Sequence, residues 1–79
     1  MRPDMTVTGW ATLGILDNQR EERVEFKISG TSIRLWGPTL FLGDAFVAKG
    51  VRLVFDDKQV MNGVIQSHLP DGMATFVQR

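Results

Sequence analysis

Alternation constrains this chain more than any other feature. Val7, Gly9, Ala11, Leu13 and Ile15 occupy every second position, separated by Thr8, Trp10, Thr12 and Gly14. Successive side chains of a strand point to opposite faces, so a period of two predicts a half-buried β-strand, here from about Met5 to Leu16. The period returns in Val24, Phe26 and Ile28 around Glu25 and Lys27, in Ile33 and Leu35 around Arg34, and in Val51, Leu53 and Phe55 around Arg52 and Val54. Val60 to Ser67 and Met73 to Val77 read as two further strands. Polar or turn-forming stretches separate them: "DNQREER", the break Ser29-Gly30-Thr31-Ser32, "DDKQ" and "LPDG". In the last, proline presets one dihedral and glycine permits a positive one. Gly9 and Gly14, inside the first strand, predict bends or a bulge.

The stretch "WGPTLFLGDAFVAKG" fits the pattern least. Gly37-Pro38 and Gly43-Asp44 are turn dipeptides, and Leu40, Leu42, Phe46 and Val47 lie between or after them. They read as short extended pieces, with a helical turn from Ala45 to Lys49 as the alternative. Several short strands joined by turn signals predict an all-β fold. At 79 residues the expected form is one domain, 1–79, folded as a small antiparallel β-barrel of about six strands. Closure removes the edge strands that invite aggregation. The expected core is Val24, Phe26, Ile28, Ile33, Leu35, Leu53, Phe55, Val64 and Phe76, with Trp36 added to it.

A domain of this size buries only about 60% of its unfolded surface and often needs a staple. The chain has no cysteine and one histidine, His68, so disulfides and thiolate metal sites are excluded and no metal is expected. Homo-oligomerisation is the support left open. Absence of cysteine suits a reducing cytoplasm. No apolar run approaches the roughly 18 residues of a membrane helix, and no signal-peptide core is present, so membrane insertion is not expected. Nine basic residues balance nine acidic ones. Zero net charge gives no global pull towards phosphate and disfavours nucleic acid as a partner, while leaving a local basic face open.

No catalytic constellation stands out, and the chain is not expected to be an enzyme. His68 reads as a surface residue at a strand end. Asp56 and Asp57 are adjacent, so in a strand they face opposite ways and in a turn both face water. The glycines have no phosphate-loop spacing. Trp10, Trp36 and Phe41 are residue types that stack on bases, but they are expected to pack the core or plug a barrel end. Arg20 and Arg23, with Glu21 and Glu22 between them, read as a solvated turn.

From Val24 to Val77 the order is a strand, the turn in "KISGTS", an "IRL" strand, Gly-Pro, Leu-Gly-Asp, "VRLVF", "NGVI", a turn and "GMATF". This order resembles the PilZ domain family, small bacterial β-barrels that bind cyclic di-GMP in signalling. Two motifs hold the ligand in that family: RxxxR before the barrel, and [D/N]xSxxG between two strands. The second falls on Lys27 to Ser32. Ser29 matches the serine, Lys27 replaces the Asp or Asn, and Ser32 replaces the glycine. Arg2 lies about where the last arginine of the first motif belongs, and no residue exists four positions before it. Arg20 and Arg23 have the wrong spacing.

The resemblance implies a ligand-binding set of Arg2, Lys27, Ser29 and Ser32, with no cofactor beyond cyclic di-GMP as a weak ligand. Lysine accepts no hydrogen bond, and serine adds a Cβ where glycine allows close approach. The implied function is a regulatory or adaptor domain acting through a protein partner, with weak or absent cyclic di-GMP binding. The alternative is an unrelated barrel, either an oligonucleotide binder or a phage-type interaction protein. Taken without the resemblance, Ser29 to Ser32 reads as a plain hairpin turn.

Overall fold

The computed structural model describes residues 6–69 and 71–79. Six strands and one helix follow in the order β1 (Thr6–Ile15), β2 (Arg20–Ser29), β3 (Ser32–Trp36), α1 (Thr39–Val47), β4 (Val51–Phe55), β5 (Val60–His68) and β6 (Met73–Gln78). Every ladder is antiparallel, and the sheet closes as β1-β2-β3-β6-β5-β4. The expected small all-β barrel is present. Among the described residues no helix is long and apolar enough to cross a membrane.

Inward positions of the alternating runs make the core. Ala11, Leu13, Ile15, Val24, Leu35, Val51 and Leu53 are buried, and Phe26, Ile33, Ile65, Ala74 and Phe76 join them. Leu13 faces Leu53 and Ile15 faces Val51 across the β1–β4 ladder.

Helix α1 caps the end of the barrel where β1 and β3 finish. It spans Thr39 to Val47, where short extended pieces or a later helical turn were expected. Pro38, at φ −59°, leads into it, and its carbonyl accepts the Leu42 N–H at 2.9 Å. Gly43-Asp44 therefore lies mid-helix instead of forming a turn. Apolar side chains occur all round α1, so no helical stripe advertises it. Phe41, Leu42 and Ala45 are buried and plug the barrel end. Arg20 holds the helix from outside: its guanidinium pairs with Asp44 and lies 5.4 Å from the centroid of the Phe41 ring.

Four expected core residues depart from full burial, Ile28 among them, half-buried near the hairpin end of β2. Val64 is half-buried and Ile65 takes the inward position beside it. Within "NGVI" the inward positions are Gly63 and Ile65, and Gly63 carries no side chain and so hides the phase of the alternation. No Cβ fits at Gly63, because it would stand 2.1 Å from the Val77 carbonyl oxygen. Phe55 is half-buried at the end of β4, its ring edge-on to Phe26 at 4.9 Å. Trp36 is half-buried on the outer face. The expected bulge is also displaced: β1 runs in unbroken register with β2, and the shift falls in β5 between Ile65 and Ser67.

The β1–β2 connection is shorter than the polar run suggested. Strand β2 begins at Arg20, so Arg20, Glu21, Glu22 and Arg23 are strand residues, not a turn. The ladders to β1 also differ in length. Strand β2 pairs with all of Thr6–Ile15, but β4 pairs only with Ala11–Ile15. Among the described residues, the edge of β1 from Thr6 to Trp10 is unpaired on its second side.

Candidate functional site

The Ser29–Ser32 break is a two-residue hairpin loop. Ser29 faces Ser32 in the β2–β3 ladder, and Gly30 and Thr31 make the connection. Gly30 has φ +61° and Thr31 has no positive φ, the pattern of a type II′ turn with glycine first. This geometry sets the register behind it. Two residues back from each serine, Lys27 lies directly opposite Arg34.

All four side chains share the outer face. Lys27, Ser29, Ser32 and Arg34 are exposed and line a small cavity of about 120 Å³. Lysine opposite arginine is unfavourable in an antiparallel pair unless something offsets the repulsion. Neither makes an ion pair among the described residues, where those pairs join Arg20 to Asp44 and Arg23 to Asp56; the nearest acid on that face is Glu25, one row away in a groove it shares with Lys27. Hydroxyls surround the two cations instead. The cross-strand row reads Thr8, Lys27, Arg34, Thr75, Ser67. Ionised donors beside hydroxyls suit an anionic oxygen group.

The next row along the strands is aromatic and acidic: Trp10, Glu25, Trp36, Met73. Trp10 is 51% exposed on the outer face, neither core nor plug. Of the three aromatic residues expected inside, Phe41 alone takes that role. A groove of about 300 Å³ lined by Thr8, Glu25, Phe26, Lys27 and Trp36 adjoins the cationic cavity, with Lys27 common to both.

The sequence-derived ligand set is therefore partly assembled. Lys27, Ser29 and Ser32 converge, and Arg34 joins them. Arg2 lies outside the described residues. Arg34 was within reach of sequence reasoning, since a two-residue loop fixes which residues oppose each other.

Arg23 stands further along β2 and is occupied. Its guanidinium donates to both Asp56 carboxylate oxygens, at 2.7 and 3.3 Å. That hydrogen bond holds the Asp56 carboxyl below its usual range and raises the Arg23 guanidinium above its own. The neighbouring Asp57 accepts the Gln59 N–H at 3.0 Å and so shapes the β4–β5 turn. Both carboxylates of the Asp-Asp pair thus have structural partners. His68 ends β5 as expected but is half-buried, not on the surface. Its ring packs against α1, with Cε1 3.6 Å from where a Gly43 Cβ would be, and its buried Nε2 has no hydrogen-bond partner. Among the described residues no group of three metal-ligating side chains occurs.

A groove of about 510 Å³ lies over Gly14 between Glu21 and Arg52. Its cations are engaged: Arg20 by Asp44, and Arg52 by the Asn62 side-chain oxygen at 3.4 Å. No family model, curated protein or solved structure matches the chain.

Proposed function

We propose that this barrel is a PilZ-like regulatory or adaptor domain that acts through protein contacts and binds cyclic di-GMP weakly or not at all. The unpaired edge of β1 carries the reading. Among the described residues, Thr6–Trp10 has no strand on its second side, with Val7 and Trp10 about half exposed, at 52% and 51%. An open sheet edge is a template for an added strand from a partner chain, with main-chain hydrogen bonds supplying affinity and alternate side chains supplying specificity. Proline is absent from this edge and so is lysine, two residues that commonly blunt such edges.

The weak-ligand half of the proposal follows from size and chemistry. Pockets for compact organic ligands run from about 300 Å³ upward, and the cavity of Lys27, Ser29, Ser32 and Arg34 holds about 120 Å³. It suits one anionic group, not a dinucleotide.

Titration with cyclic di-GMP, followed by amide NMR shifts, tests this half. Shifts confined to Lys27–Arg34 and unsaturated at millimolar ligand are expected; micromolar affinity would overturn it. A photo-crosslinker at Val7, compared with one at Glu22 in the same cells, tests the other half. A discrete adduct from Val7 and none from Glu22 is expected. Equal adducts from both sites would remove the adaptor reading.

A further inference from the structure

The outer face of β1, β2 and β3 places two unmatched cations beside two tryptophans. The charge arrangement is asymmetric although the whole chain is neutral. Asp17, Glu21 and Glu22 lie towards the α1 end, where Arg20 and Arg23 already have carboxylate partners. At the other end Lys27 and Arg34 oppose each other with no acid bridged to either among the described residues. Lys49, Arg52, Lys58 and Arg79 also lack a bridging acid among the described residues, but Lys27 and Arg34 are the two that stand directly opposite each other in a ladder.

Spacing gives the patch they form a chemical meaning. Rows two residues apart on a strand are separated by about 7 Å, and positions two strands apart by about 10 Å. Trp10 and Trp36 thus stand about 10 Å apart across Glu25, one row from the Lys27–Arg34 pair. A phosphate on the cations would leave its base over a tryptophan ring. Stacking on aromatic rings beside a cationic track is how single strands are held without base pairing.

We infer that this face binds single-stranded nucleic acid, with phosphate at Lys27 and Arg34 and bases on Trp10 and Trp36. The inference goes beyond the adaptor reading, uses a different ligand, and stands or falls separately from it. Glu25 adds a preference. A carboxylate between the stacking rings accepts a hydrogen bond from an exocyclic amine, as in acid recognition of cytosine N4. Thymine has no such amine and leaves the Glu25 charge uncompensated.

Trp10 and Trp36 are the two tryptophans of a chain without tyrosine, so intrinsic fluorescence reports directly on the patch. The experiment titrates the full chain with hexadeoxycytidylate and with hexathymidylate. Both should quench the emission, the cytidylate binding at least several-fold tighter. Two phosphate contacts predict a slope of about −1.4 in log affinity against log salt, falling to about −0.7 in Lys27→Gln. Trp36→Ala should weaken binding about tenfold. Glu25→Gln should narrow the gap between the two oligonucleotides. Circular dichroism of each variant controls for folding, and all these positions lie outside the core. No quenching by either oligonucleotide at millimolar concentration would overturn the inference. So would a hexaglutamate peptide that binds more tightly than the cytidylate, which would assign the patch to acidic proteins.

Discussion

The two ends of the barrel are built differently. At the α1 end, Leu13, Ile15, Val24, Leu35, Phe41, Leu42, Val51 and Leu53 are almost wholly buried, and ion pairs reinforce the outside. At the hairpin end, Val7 is 52% exposed, Ile28, Phe55 and Met61 are half-buried, and among the described residues Lys27 and Arg34 have no acid bridged to them. A cavity of about 420 Å³ opens there between Ile28, Ile33, Met61 and Phe76. One end is sealed by packing, and the other leaves apolar and charged groups facing solvent. Incomplete burial and a like-charge cross-strand pair both reduce stability, so the hairpin end contributes less to it.

That contrast yields a ranked set of substitutions. Leu13→Ala, in the sealed end, should cost about 2–5 kcal/mol in urea unfolding, enough to unfold a marginal domain. Phe55→Ala, in the looser end, should cost about 2 kcal/mol: the ring is half-buried, and its edge-on contact with Phe26 adds about 0.5–1.5 kcal/mol to area burial. A Phe55→Ala loss equal to that of Leu13→Ala would erase the distinction between the ends.

The smallest effect concerns acid. Asp56 has a lowered pKa in the folded chain because Arg23 donates to it. Its contribution is present above the unfolded carboxylate value and fades as pH falls through the lowered folded value. Both side chains are exposed, so solvent screens the pair. Asp56→Asn should remove a small contribution at neutral pH and flatten the fall in stability below about pH 4 by the same small amount. A large loss at pH 7 would mean that the outer pairs, not the core, hold the sealed end.

Strands were legible wherever apolar side chains marked the inward phase, as in β2, β3 and β4. They were misread where glycine held an inward position: at Gly63 the visible run "VI" pointed to Val64, and the structure turns Ile65 inward. Helix α1 was obscured for a different reason. Leu40 and Val47 are 86% and 77% exposed, while Phe41, Leu42 and Ala45 are buried, so apolarity alone does not tell its faces apart. Of the site, Lys27 and Ser29 share a face by simple alternation and Ser32 follows from the turn. The tryptophans were assigned inward on residue type, but their place in the alternation, opposite Glu25, turns them out.

Barrel closure also sets how the chain reaches this state. Four ladders join neighbours in sequence, but β1–β4 and β3–β6 do not. Ile15 meets Val51, 36 positions on, and Ile33 meets Phe76, 43 positions on. Hairpins such as β2–β3 form in microseconds, whereas distant pairings must first meet the entropy of closing long loops. These two ladders therefore carry the largest loop-closure cost of the six. Before β4 is in place, the second side of β1 is an open edge from Thr6 to Ile15, the kind of edge on which strands mispair.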